Sequence, residues 1–162
     1  MFKFLKKEKV VEIYTPVNGS IIALEDVPDP VFSQKMMGEG IAVIPTNGNI
    51  HSPVKGTVIL IAATKHAIGI RAENGVEILV HVGLETVSLK GEGFNSVVNV
   101  GDQVSVGQLL IEVDWEFICT NAKSIITPIV ITNSLQNKNQ YILTKEKEAI
   151  QGRTVLINAT AK

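Results

Sequence analysis

Imidazole is the one side chain whose ordinary titration falls between about pH 5 and 8, and this chain has three, His51, His66 and His81. Two of them bracket the stretch TKHAIGIRAENGVEILVHVGLE, residues 64–85. Two apolar segments flank Asn74-Gly75 there, the strongest short hairpin signal, because both central residues of a type I′ turn need positive φ. With Asn74 and Gly75 as a two-residue loop, Thr64 faces Glu85, His66 faces Gly83 and Ile68 faces His81. Side chains alternate faces along a strand. His66 and His81 then share a face as diagonal neighbours, their β-carbons about 5–8 Å apart, with open space above Gly83. A one-residue change of register would separate them.

A neutral imidazole nitrogen can act as a nucleophile. A second imidazole can donate a hydrogen bond to oxygens that gain charge during phosphoryl transfer. Thr64 can set the tautomer of His66 through its hydroxyl. The same atoms, with a carboxylate, could also bind zinc, and spacing alone leaves both chemistries open. No phosphate-cradling GxxxxGK loop is present, which argues against direct use of ATP.

The elements that must hold these residues read as strands. Segments 21–24, 40–44, 57–62, 77–82, 109–113 and 129–131 are rich in β-branched residues and punctuated by Gly, Pro and Asn. Short helical turns are expected at 30–37, entered through Pro30, and at 114–123, capped by Asp114. An internal repeat is visible: Thr15-Pro16-Val17-Asn18-Gly19-Ser20-Ile21-Ile22 matches Ser52-Pro53-Val54-Lys55-Gly56-Thr57-Val58-Ile59 at an offset of 37 residues. The segment 100–108 reads as a turn, a short strand and another turn. The expected fold class is all-β: an antiparallel sandwich or barrel of duplicated, pseudo-symmetric topology, with short helical turns.

The chain has 162 residues, 45% hydrophobic and 19% charged, with a formal net charge of −1. That size suits one domain, and that charge argues against nucleic acid. A single cysteine, Cys119, excludes an internal disulfide and fits a reducing cytoplasm. No apolar run approaches a membrane span. Residues 1–10 read as a flexible basic and apolar tail (Phe2, Phe4 and Leu5 among lysines) capable of at most weak membrane-surface contact, and 11–162 as the domain. Met1 and the short tail suggest a free-standing subunit rather than a domain excised from a permease. His51 reads as a surface residue and Cys119 as a buried small hydrophobe.

VPDPVFSQKMMGEGIAVIPT (27–46), SPVKGTV (52–58), TKHAIGIR (64–71), GVEILVHVGLETVSLKGEGF (75–94) and AKSIITPIVITN (122–133) together resemble the glucose-type IIA family of the bacterial sugar phosphotransferase system. The resemblance implies a cytoplasmic phosphoryl carrier. His81 would accept phosphate on Nε2 from the phosphocarrier protein HPr and pass it to a cysteine on the IIB domain of a glucose-family permease. His66 would support the phosphorylated state and Thr64 would orient it. Asp29, Val31, Phe32, Met36, Met37, Leu79 and Glu85 match family positions that form the partner-binding patch and its acidic rim, with glutamate at 85 where the family usually has aspartate. Regulatory partners could read the two phosphorylation states of such a patch. No cofactor is required, although zinc bridging His66, His81 and a partner carboxylate is chemically allowed. The resemblance weakens after about residue 133.

Two other readings stand beside this one. A zinc-dependent hydrolase would use His66 and His81 with a carboxylate. A biotinyl or lipoyl carrier would need its lysine in a tight hairpin, and Lys35-Met36-Met37 is the only echo of that.

Overall fold

A computed structural model describes residues 9–135 and 140–161. The strands are β1 (Lys9–Tyr14), β2 (Asn18–Ala23), β3 (Glu39–Asn47), β4 (Ile50–His51), β5 (Gly56–Ile61), β6 (Ala67–Ala72), β7 (Glu77–His81), β8 (Phe94–Ser96), β9 (Gln103–Val104), β10 (Leu109–Val113), β11 (Thr127–Ile131), β12 (Gln140–Leu143), β13 (Glu148–Ala149) and β14 (Val155–Ala161). Two short helices join them, α1 (Pro30–Ser33) and α2 (Trp115–Asn121). All strand pairings are antiparallel. One large sheet runs β13-β2-β3-β11-β7-β6-β5-β9, and two small ones run β1-β14-β12 and β4-β10-β8. This is the antiparallel, mostly β architecture expected, with short helical turns.

The duplication extends well beyond the eight matching residues. From its two ends the large sheet reads β13-β2-β3-β11 and β9-β5-β6-β7. Thr15 Oγ1 donates to Val17 O and Ser52 Oγ to Val54 O, both at 2.7 Å. Each repeat then binds the other: Tyr14 N donates to Pro53 O and His51 N to Pro16 O, both at 2.9 Å. Gly19 and Gly56 are equivalent. A Cβ on either would lie 2.1 Å from a carbonyl oxygen, that of Ile44 or of Arg71. The short strand of segment 100–108 is β9, which lies beside Gly56 as β13 lies beside Gly19.

Period-2 alternation sorts β6 and β7 onto two layers. Ile68, Ile70, Ile78 and Val80 enter the main core between the sheets. Ala67 and Leu79, on the opposite face, pack in a second cluster with Leu24, Val27, Phe32, Ala42, Leu84 and Val130. Each large aliphatic side chain among these contributes roughly 1.5–3 kcal/mol by leaving water, enough to hold polar residues in place at the cluster's border.

Several expectations are corrected. The first strand begins at Lys9, inside the segment expected to be a tail, because Lys9 and Val10 pair with Ala161 and Thr160; the rest of that tail, residues 1–8, lies outside the described residues. The helix expected over 30–37 closes after Ser33, and Lys35 takes a left-handed φ of +57°. Asp114 does cap α2, accepting from Phe117 N. Cys119 is exposed, not buried: Ile118 is the buried residue of that helix, and the next position is turned about 100° away from it. His51 is half-buried, because β4 pairs with β10.

Candidate functional site

The hairpin that carries the histidines exists, but its loop has three residues rather than two. Ala72 N donates to Val76 O at 2.8 Å and Gly75 N to Ala72 O at 3.0 Å. Gly75 alone in that loop has positive φ, at +88°. Asn74 makes its side-chain bonds elsewhere: its amide donates to Lys9 O and Ala159 O, both at 3.1 Å, and its Oδ1 accepts from Val76 N. Tied to β1 and β14, Asn74 does not take the left-handed φ that a type I′ turn requires.

The register therefore shifts by one. Ala67, not Ile68, pairs with His81. Strict alternation would then part the histidines, yet their ring centroids lie 4.9 Å apart, edge to face at 75°. The reason is local. His66 precedes β6, and Lys65 before it has a φ of +58°. The period-2 rule does not reach a residue outside the strand. Glu85 is also not opposite Thr64. It is exposed, with a φ of +57°, at the start of a short 3-10 turn, Thr86–Leu89.

His81 sits at the end of β7 with its Nδ1 2.8 Å from Gly83 O. A carbonyl only accepts, so Nδ1 carries the hydrogen and the lone pair is on Nε2. His66 is 8% exposed, and its Nδ1 lies 2.6 Å from Thr64 Oγ1. Burial, and next the charge that His81 would carry, lower the pKa of His66 to about 4. The ring is neutral at pH 7; when the Thr64 hydroxyl donates to Nδ1, Nε2 is the nitrogen that bears the hydrogen. Burial lowers the pKa of His81 also, partly opposed by the Gly83 carbonyl and by the charge of Asp29. In that arrangement the pair is a lone pair on His81 beside an N–H on His66, both rings neutral, which is what nucleophilic attack on a phosphoryl group and hydrogen bonding to its oxygens require.

The residues expected to form a partner patch divide by depth. Phe32 and Leu79 are 3% and 5% exposed. They belong to the supporting layer rather than to a surface, because β7 and α1 turn them into the second cluster. The Phe32 ring stacks obliquely on His81, centroids 5.0 Å apart. Val31, Met36 and Met37 are exposed as expected. Asp29 caps α1, accepting from Val31 N at 3.0 Å. Lys35 holds the end of α1 through Glu25 at 3.4 Å and Glu39 at 3.1 Å. A lysine held in ion pairs behind a helix is not the hairpin-tip lysine of a biotinyl or lipoyl domain. The open space expected above Gly83, opposite His66, is not there. Val82 pairs with His66 instead, its N–H donating to His66 O at 2.7 Å, and Gly83 supplies the carbonyl that selects the His81 tautomer. The His-x-Gly spacing is the sequence signal for that contact.

Among the described residues no group of three or more His, Cys, Asp or Glu is placed to hold a metal ion. Among these residues the hydrolase reading finds no carboxylate to complete its ligand set. Among the same residues no helix is long and apolar enough to cross a membrane.

Residues 11–137 match the family model for the phosphoenolpyruvate-dependent sugar phosphotransferase system, EIIA 1. The chain is 48% identical over 153 residues to the PTS system glucose-specific EIIA component of Staphylococcus epidermidis, covering 94% of this chain and 92% of that protein. It is 50% identical to the component of the same name from Staphylococcus aureus, with the same coverage. Its structure is similar to that of glucose permease IIA from Mycoplasma capricolum, with a TM-score of 0.84, 36% identity, and 98% and 99% of the two chains covered.

Proposed function

The chain belongs to the EIIA 1 family of the phosphoenolpyruvate-dependent sugar phosphotransferase system, and on that premise we propose that His81 is the residue that carries its phosphoryl group, on Nε2. The protein is a glucose-family EIIA phosphoryl carrier. The observation that carries the residue assignment is the bond from His81 Nδ1 to Gly83 O, which leaves the Nε2 lone pair free.

The donor is phospho-HPr. As the His81 Nε2–P bond forms, the donor's P–N bond breaks and its electron pair returns to the donor nitrogen. The Nδ1 hydrogen stays on its bond to Gly83 O throughout, so His81 needs no general base. His66, neutral and anchored by Thr64, donates from Nε2 to a phosphoryl oxygen as charge builds there. In the onward step a thiolate of the IIB domain attacks phosphorus, and the N–P pair returns to His81 Nε2. Val31, Met36 and Met37 form the apolar contact surface for both partners, rimmed by Asp29 and Glu85. Phe32 and Leu79 hold that surface from beneath. The transfer requires no cofactor. A zinc ion would need donors beyond His66 and His81, which a partner carboxylate could supply.

The test is regiochemical. After incubation with phosphoenolpyruvate, the general phosphotransferase enzyme and HPr, nitrogen and phosphorus NMR should show one phosphohistidine, at His81 Nε2. Phosphate on Nδ1, or on His66, contradicts the assignment.

A further inference from the structure

The tautomer of His81 depends on the direction of one carbonyl, and that carbonyl belongs to glycine, the residue least able to hold a direction by itself. Three successive peptide groups follow His81, and each is tied by a hydrogen bond other than the one that Gly83 O accepts from His81. Val82 N donates to His66 O at 2.7 Å. Val82 O accepts from Thr86 Oγ1 at 2.6 Å. Leu84 N donates to Ser124 O at 2.9 Å. The second and third of these planes flank the Gly83 Cα. Together they set the torsions of Gly83, whose φ is +75°, and so aim its carbonyl at His81. Two of the three ties are to backbone. Thr86 is the one side chain among them.

Thr86 is fully buried, at 0% exposure, so it touches no partner. Its methyl Cγ2 would lie 2.6 Å from a Cβ built on Gly83, so the threonine closes on Gly83 with its methyl as well as with its hydroxyl. A threonine that only braced a turn would make the same bond to Val82 O. What separates the two roles is whether the imidazole responds.

We propose that Thr86 is a positioning residue for phosphoryl transfer: by holding the Val82 carbonyl it orients Gly83, and so keeps His81 in the Nδ1–H form with Nε2 available. This rests on His81 being the phosphoryl acceptor, but its readout is taken on the unphosphorylated protein.

The experiment measures the ring nitrogen shifts of His81 in the full chain and the rate and KM of phosphoryl uptake from phospho-HPr. Wild type should show the Nδ1–H tautomer alone. Thr86→Val, equal in shape but without the donor, should populate the Nε2–H tautomer and slow uptake about tenfold to a hundredfold, as small misplacements of reacting groups do. KM should not change, because the docking surface is untouched. Thr86→Ser should restore both tautomer and rate. A folded Thr86→Val protein with wild-type tautomer and rate overturns the proposal, and so does a wild-type His81 in the Nε2–H form. Should Thr86→Val not fold, Thr86→Cys, a weaker donor of similar size, should give an intermediate tautomer mixture, and a wild-type ring there overturns the proposal. Wild-type protein that takes up no phosphate on His81 refutes the acceptor assignment instead, while the ring shifts still decide the role of Thr86.

Discussion

At the scale of the residue, His66 is a histidine kept neutral by its burial, and its stability signature follows. In the unfolded chain it binds a proton near 6.5, and in the folded chain only near about 4. Between those values the unfolded state holds more protons. The stabilisation is therefore fully present above pH 6.5, is lost as pH falls through that window, and levels off near pH 4. Denaturant midpoints measured from pH 8 to 4 should show this slope, and His66→Gln should make it shallower, leaving the smaller contribution of His81; an equal slope in both proteins would place the titrating group elsewhere. The same variant should still take up phosphate on His81 but pass it on about a hundredfold more slowly, the scale of losing one donor to a charged transition state. A phosphoryl transfer assay with the IIB domain reads the difference. The identities of these residues are legible in the sequence, and so is the Thr64 contact. The depth of Phe32 and Leu79 is not, because family position says which residues form a patch and not which lie beneath its surface. The role of Gly83 is legible only in part: His-x-Gly spacing marks the residue, but the direction of its carbonyl is set by bonds to Thr86 and Ser124 that lie outside that motif.

At the scale of the element, the hairpin shows how a correct neighbourhood can follow from an incorrect register. Asn-Gly announces the turn, and residues 64–85 do fold back on themselves. The loop length depends on tertiary bonds from Asn74 to Lys9 and Ala159, far away in sequence and invisible to local pattern. The histidines meet anyway, because His66 stands outside the alternating strand. Two glycines of this unit separate conformational from steric cost. Gly75, with φ at +88°, has nothing within 4 Å of the position a Cβ would take, so Gly75→Ala should cost only the left-handed strain, about 1–2 kcal/mol, and leave phosphate uptake intact. Gly83, with φ at +75°, would set its Cβ 2.6 Å from Thr86 Cγ2 and 2.9 Å from Ser124 O. Gly83→Ala should cost about 1–3 kcal/mol more through overpacking and lower uptake as well. Thermal melts paired with uptake assays test this, and a Gly83→Ala protein with normal uptake would free the His81 tautomer from the Gly83 carbonyl.

At the scale of the whole molecule, a duplicated scaffold carries one unduplicated site. Gly19→Ala and Gly56→Ala, equivalent by the repeat and each aimed at a carbonyl oxygen 2.1 Å away, should destabilise similarly, by about 1–3 kcal/mol each. A large difference in their denaturant midpoints would mean the halves contribute unequally to stability. The repeat is legible from Pro-Val-x-Gly in both copies. Its full extent is not, because β9 and β13 share strand pairing without sharing sequence. The site departs from the symmetry: β6 and β7 carry Ala67 beside His81, where the corresponding pair β3 and β11 carries Gly40 beside Val130. One half thus carries both histidines, and both halves supply the frame. The central claim is that the frame exists to present His81 as a phosphoryl carrier. Peptide mass spectrometry at neutral or alkaline pH, after incubation with phosphoenolpyruvate, the general phosphotransferase enzyme and HPr, tests it most directly. One acid-labile phosphate on the peptide containing His81, absent from a folded His81→Ala protein, is the predicted result; a phosphate retained by His81→Ala, or none on wild type with active HPr, would contradict it.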